Sequence, residues 1–297
     1  MLSEAQRTEV ISAARRGAYD YYLSALLAPV GSRDDQLVLA AFEGELVRII
    51  ETVGEPILAE IRLQWWRDTI AAMAERRGPP NQRSGHAIAD ALAVLVEVGR
   101  VSMSSLHQSI DARSADTGTE QIVSEEDLER YLDQTDGAAL ERAIAVAAAA
   151  TGGPEPDRDL VQAAGRCVGL ARILLDMPRR HAMGQVPLLA GLSGQTITAC
   201  GVCDDDAGTA EQAEQRDEQA AQCRKYLAEA ALHLGTVRRG WARLPRGQRA
   251  ALGPVALVGP YLRALQRRGC LGPHPQGVIT PVFRVARLWW AVRFARL

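Results

Sequence analysis

The sequence predicts an all-α protein, one domain of roughly ten helices. Two observations carry that reading. Apolar residues recur at helical spacing over long stretches, and proline and glycine punctuate those stretches rather than interrupt them. No segment of useful length alternates with the period of a strand. The chain has 297 residues and 47% hydrophobic content, enough for one large core or two ordinary ones. Neither an internal repeat nor a low-complexity linker divides it, so residues 1–297 are read as one domain.

The elements follow in order. A first helix is expected from about Glu4 to Ala28, stopped by Pro29. A second starts after Ser32, with Asp34 and Asp35 favourable in its first turn, and carries LVLAAFEGELVRIIETV. Gly54 and Pro56 break the chain before a third, ILAEIRLQWWRDTIAAMAERR, which ends at Gly78-Pro79-Pro80. Helical segments are expected near 85–113 and 124–150, the latter opened by the capping pattern Ser124-Glu-Glu-Asp127. A long helix runs from about Asp157 to Arg180. Residues 182–210 form an irregular stretch holding Asp204-Asp205-Asp206, read as a solvated loop. Helices near 211–243, 246–268 and 280–297 complete the bundle. In the last, Phe283, Trp290, Phe294 and Leu297 fall within roughly 60° of arc and are expected to pack on the bundle.

Charge and cysteine content narrow the function classes. Net charge is −2, so no bulk charge draws the chain to nucleic acid. Residues 224–297, however, hold 14 basic side chains and one acid, Glu229. That asymmetry suits an anionic surface such as phospholipid; a solvated arginine-rich face is the plain alternative. The five cysteines, an odd count without a secretory leader, indicate a reducing compartment. Cys200 and Cys203 have the spacing of half a zinc site, but no second half stands nearby. The N-terminal stretch has acids and no apolar h-region, so no signal peptide is expected, and no apolar run is long enough to span a membrane. The expected location is the cytoplasm, with peripheral contact at the inner face of the cytoplasmic membrane.

Several blocks resemble the squalene/phytoene synthase family, in family order, over about residues 14–290. They are Asp20-Tyr-Tyr-Leu-Ser-Ala-Leu-Leu-Ala-Pro29, Arg33, Leu39-Ala-Ala-Phe42-Glu-Gly-Glu45, and Glu55-Pro56 leading to Ile61-Arg62-Leu-Gln-Trp65-Trp66-Arg67-Asp68. Then come Ile110-Asp111-Ala-Arg113 with Asp116, Leu128-Glu-Arg-Tyr131 with Gly137, and Gly169 through Asp176 to Gly184-Gln-Val-Pro187. IRLQWWRD together with AFEGEL is the specific part. The resemblance implies an isoprenoid synthase fold, antiparallel helices around a deep central cavity. In active members two aspartate-rich motifs hold Mg²⁺, which neutralises the departing diphosphate. An apolar shaft behind them shields carbocations from water.

Here the motifs have changed. Anchored on Phe42, the first pair falls at Val47 and Glu51; anchored on Gly184, the second falls at Asp176 and Arg180. The formal charge over those four positions is −1, a poor cage for several divalent ions. The pattern resembles bacterial relatives of a mitochondrial factor that helps assemble respiratory complex I. Glu45, Glu51 and Asp176 are the candidate metal ligands. The competing reading pairs the glutamates with Arg48 or Arg62, and Asp176 with Arg179 or Arg180. Arg33, Arg48, Arg62 and Arg180 are candidates for holding an anion directly, since guanidinium pairs with phosphate without metal. Tyr131 matches a reaction-centre tyrosine; otherwise it is a core residue with its hydroxyl satisfied.

The leading expectation is therefore a synthase-fold protein without prenyl-transfer activity or cofactor, an assembly or lipid-associated factor. Its partners would be an isoprenoid diphosphate or anionic lipid, and a respiratory complex subunit. The alternative is a Mg²⁺-dependent head-to-head prenyl transferase making a squalene- or phytoene-like product. A helical interaction module with a filled cavity is a third class, against which the small residues Gly137 and Gly169 speak.

Overall fold

The computed structural model describes residues 3–52, 55–75, 84–117, 121–155, 157–183, 188–189, 210–268 and 279–297. Cys200, Cys203, the Asp204–Asp206 run, Cys270, and Gly184, Gln185 and Pro187 lie outside those residues, as does the side chain of His181. The expected all-α class is found: among the described residues there is no strand, just one parallel bridge between Ile122 and Leu189.

The expected first helix is two. α1 spans Glu4–Gly17 and α2 spans Tyr19–Leu27, with Ala18 at φ −140° and ψ 58° between them. The break lies where α1 meets α3 (Val30–Thr52) backbone to backbone: a Cβ on Gly17 would lie 2.2 Å from the Gly44 carbonyl oxygen. α3 starts directly after Pro29, whose carbonyl accepts from the Arg33 amide at 3.0 Å. α4 (Pro56–Glu75) carries the double tryptophan. Neighbours on a helix point about 100° apart. Trp66 accordingly is 2% exposed and meets Phe42 edge-on at 5.3 Å, while Trp65 is 42% exposed.

The 85–113 segment also divides, into α5 (Ala87–Glu97) and α6 (Met103–Arg113), with Gly99 at φ 70° in the turn. α7 (Glu125–Leu132) begins as the capping pattern predicts, with the Asp127 amide donating to Ser124 Oγ at 3.0 Å. A π-helical turn, Asp133–Gly137, joins α7 to α8 (Ala138–Thr151). α9 (Arg158–Ala182) and α10 (Ala210–Trp241) are the long central pair, followed by α11 (Arg246–Ala251), α12 (Val255–Arg268) and α13 (Pro281–Phe294).

Two apolar clusters hold these helices. One joins α1, α3, α4, α5 and α6 around Phe42, Leu63 and Trp66; the other joins α7 through α13 around Leu170, Leu174 and Trp241. Gly137 does not serve as open space for a ligand. A Cβ on Gly165 would lie 2.3 Å from the Gly137 Cα, so this pair lets α9 press on the π turn. The site of Gly169 is likewise filled, by Leu132 and Asp136.

Of the expected stripe, Leu297 packs against the core but the three aromatic residues do not. Leu288, Ala291 and Val292 do, leaving Phe283, Trp290 and Phe294 exposed. Small Ala291 brings α13 close enough for Trp241 Nε1 to donate to its carbonyl at 3.3 Å. No helix among the described residues is long and apolar enough to cross a membrane.

Candidate functional site

Between the two apolar clusters lies a cavity of about 520 Å³. Its middle is apolar, lined by Val47, Ile50, Val168, Ala171, Leu175 and Val258. Charged side chains from α3, α6, the π turn and α9 make one wall, and a smaller polar group from α2, α12 and α13 makes another.

The charged wall is a continuous ion-pair network. Buried Arg142 donates to Glu43 at 2.6 Å, and Arg113 lies 3.8 Å from the same carboxylate. Arg113 also donates to Asp116 at 3.1 Å, and Arg180 donates to Asp116 from α9 at 3.0 Å. Arg180 reaches Asp176 at 3.2 Å, and Arg179 grips Asp176 through two bonds of 2.6 and 2.8 Å. Arg172 donates to Asp136 at 2.9 Å and to the Tyr131 hydroxyl at 2.8 Å; that hydroxyl donates in turn to Asp116 at 2.8 Å. The π turn matters here because its extra residue brings Asp136 into the cavity wall, where Tyr21 donates to it at 3.1 Å.

The local fields follow from this geometry. Burial opposes ionisation of Asp116, but Arg113, Arg172, Arg180 and the Tyr131 hydroxyl outweigh it and hold the carboxyl below its usual range. Burial pushes the Tyr131 phenol up to about 12, with Arg172 opposing, so it stays a neutral donor. Burial also raises the Glu51 carboxyl, against the pull of Arg179. Among the described residues no three His, Cys, Asp or Glu side chains are grouped so as to hold a metal ion. Two buried donors of the wall, Arg113 Nε and Arg180 Nη1, have no acceptor among the described residues.

At the second wall Tyr261 donates to Asp20 at 2.7 Å and Arg284 donates to it at 3.2 Å. The Arg284 guanidinium lies over the rings of Tyr19 and Tyr261, 5.6 Å from each centroid. Burial raises the Asp20 carboxyl, with Arg284 and Tyr261 opposing.

Of the residues singled out in the sequence, Glu51, Asp176 and Arg180 line the cavity, together with Val47. Tyr131 stands directly behind them through Asp116 and Arg172. Asp176 makes both helical pairs its spacing suggested, with Arg179 and Arg180. The others stand elsewhere. Glu45 pairs with Arg48 at 3.6 Å outside the lining, since side chains at i+3 on α3 turn away together. Arg33 donates to the Ala28 carbonyl at 3.1 Å, tying down the end of α2, and Arg62 is exposed on α4. Sequence reasoning gave no role to Glu43, Asp136, Arg142 or Arg172. The one available signal was that Arg113, Asp116 and Glu43 sit inside the blocks that carry the family resemblance.

Comparisons with known proteins bear on the family and the fold. The family model for squalene/phytoene synthase matches residues 14–281. Assembly factor 6 of NADH dehydrogenase (ubiquinone) complex I is 29% identical in Bos taurus and 27% in Homo sapiens over 126 residues, 42% of this chain. The match spans 36% of the length of those relatives. Two solved structures share the fold at 14% identity and a TM-score of 0.65: a dehydrosqualene synthase in complex with ligand, covering 98% of this chain and 96% of the other, and the squalene synthase HpnC from Alicyclobacillus acidocaldarius, covering 91% and 95%. With the fold, the order of its blocks and the family match in agreement, this chain belongs to the squalene/phytoene synthase family.

Proposed function

We propose that this chain is a non-catalytic member of its family that holds one anionic amphiphile in its cavity without Mg²⁺, acting as an assembly or lipid-associated factor. The observation that carries the reading is the pairing of the cavity's acids, Glu51 excepted. Glu43, Asp116, Asp136 and Asp176 each already meet an arginine. Mg²⁺ demands near-octahedral oxygen and usually one or two carboxylates besides substrate oxygens. Carboxylates held by guanidinium groups, with Val47 and Arg180 at two of the four motif positions, fit that demand poorly.

A further observation supports the reading. Arg113 Nε and Arg180 Nη1 are buried donors in a wall where an anion or carbonyl oxygen would satisfy them. Size is compatible with it: a cavity of about 520 Å³ falls within the roughly 300–1,000 Å³ of pockets that hold one small ligand.

The similarity to complex I assembly factors supports a role beside a respiratory complex, and the basic C-terminal third supports peripheral contact with a membrane.

The test has two arms. Purified chain incubated with farnesyl or geranylgeranyl diphosphate and Mg²⁺ should give no condensed product. Titration with farnesyl diphosphate should give the same affinity with and without EDTA, and a weaker one for Arg180→Gln. Robust product, or binding abolished by EDTA, would overturn the non-catalytic reading in favour of the prenyl transferase.

A further inference from the structure

The last helix turns its broadest side chains to solvent. Val282, Phe283, Val285, Trp289, Trp290 and Phe294 are between 43 and 80% exposed. At 100° per residue they cover about half the helix circumference, opposite the buried Leu288, Ala291 and Val292. They also touch: Phe294 lies 4.5 Å from Trp290 and 5.6 Å from Trp289, ring centre to ring centre. An apolar face of this breadth, with exposed Arg293 within it, marks a partner surface rather than scattered exposure.

The charge beside that face has one sign. Residues 281–297 contain four arginines and no acid. On its flank three guanidiniums converge from three helices: Arg238 of α10, Arg263 of α12 and Arg287 of α13. A Cβ on Gly259 would lie 3.2 Å from Arg238 Nη2 and 3.6 Å from Arg263 Nη1. Burial, with repulsion from Arg263 and Arg238, holds the Arg287 guanidinium below its usual range. None of the three forms a salt bridge with a described residue. Clustered cations that no described carboxylate neutralises favour an anion beside them.

We propose that α13 and the Arg238–Arg263–Arg287 cluster dock the protein on an anionic phospholipid bilayer, aromatic rings in the interfacial layer and guanidiniums on lipid phosphates. A bilayer supplies both things this surface lacks, apolar depth and negative charge. Tryptophan is at home at that boundary, and outward arginines such as Arg293 and Arg296 extend from it to the headgroups. A second copy of the chain suits the surface poorly, because self-pairing would set arginine against arginine. The proposal rests on the peripheral contact described above and gives it a place. Arg284 of the same helix lines the cavity, so the second cavity wall stands directly behind the docking face.

Vesicle flotation of the full chain tests it, with vesicles of phosphatidylcholine alone and of equal parts phosphatidylcholine and phosphatidylglycerol. The parent should float with the mixed vesicles and lose them in high salt. Arg263→Gln with Arg287→Gln should weaken binding by about fivefold per charge, roughly 25-fold together. Trp289→Ser with Trp290→Ser should weaken it by at least about tenfold. Thermal melts check that each variant folds. A parent that floats with neither vesicle overturns both the docking surface and peripheral contact. A parent that floats while both variants float equally well overturns the surface and leaves peripheral contact standing. A dimer on gel filtration that Trp289→Ser with Trp290→Ser abolishes, without vesicle binding, assigns the face to a second copy and overturns the proposal.

Discussion

Around the cavity every lining arginine meets a carboxylate, whereas between α10, α12 and α13 three arginines crowd one another. The first arrangement is closed in its ion pairs, with two donors, Arg113 Nε and Arg180 Nη1, left over: Arg113, Arg172, Arg179 and Arg180 donate hydrogen bonds to Asp116, Asp136 and Asp176 across four elements. Most of the charge removed from water there is matched inside the fold, so the network belongs to stability as much as to binding. The second arrangement is open: none of its three arginines forms a salt bridge with a described residue. Arginine content alone would not separate the two; the neighbours do.

Breaking the closed network should give the largest effect. Asp116→Ala strands Arg113 and Arg180 without their shared partner and should cost about 3–5 kcal/mol in denaturant unfolding. A cost under about 1 kcal/mol would mean that water already reaches the network. α4 offers the same inside-versus-outside contrast for apolar groups. Trp66→Ala should cost about 3–5 kcal/mol, and Trp65→Ala clearly less, because Trp66 is buried against Phe42 and Trp65 is not. Matching melts for the two variants would undo that placement of α4.

Acid should sharpen the comparison further. The folded value for Asp116 lies below its ordinary 3.8, so its stabilising contribution is complete above the unfolded value and is lost as pH falls through the folded one. Melts should therefore weaken below about pH 4, and less steeply for Asp116→Asn, which has no group to titrate there. Equal slopes would assign the acid sensitivity to other carboxylates. The smallest effect is expected in the open cluster. Arg263→Gln should leave stability within about 0.5 kcal/mol of the parent or raise it, since it relieves repulsion and breaks no ion pair. A large loss would reveal a partner within the chain.

How much of this was legible in the sequence depends on the range of the interaction. The Ser124 cap and the pairing of Asp176 with Arg179 and Arg180 are contacts at three and four residues, fixed by helix geometry. The Arg142–Glu43 pair joins residues 99 apart, and only the fold brings them together. The aromatic stripe of α13 was legible as a stripe but not by direction. A helical projection says which side chains share a face, and packing decides which face goes inward. There the narrow side with Ala291 won, because α2, α11 and α12 approach it closely. The split of the first helix at Ala18 was hidden for a similar reason, since its cause sits on α3 at Gly44.

That backbone contact has a consequence for how such a chain can drift. At positions 17 and 165 the space for a side chain is already taken, by the Gly44 carbonyl in one case and the Gly137 Cα in the other. A single added methyl there would have to move a whole helix. The charged positions of the cavity are different: side chains of similar volume whose charges balance could replace those there without a backbone atom standing in the way. Heritable change thus has an easier direction and a harder one: the charges of the chamber can be exchanged at less cost to the backbone than the glycines that set its walls.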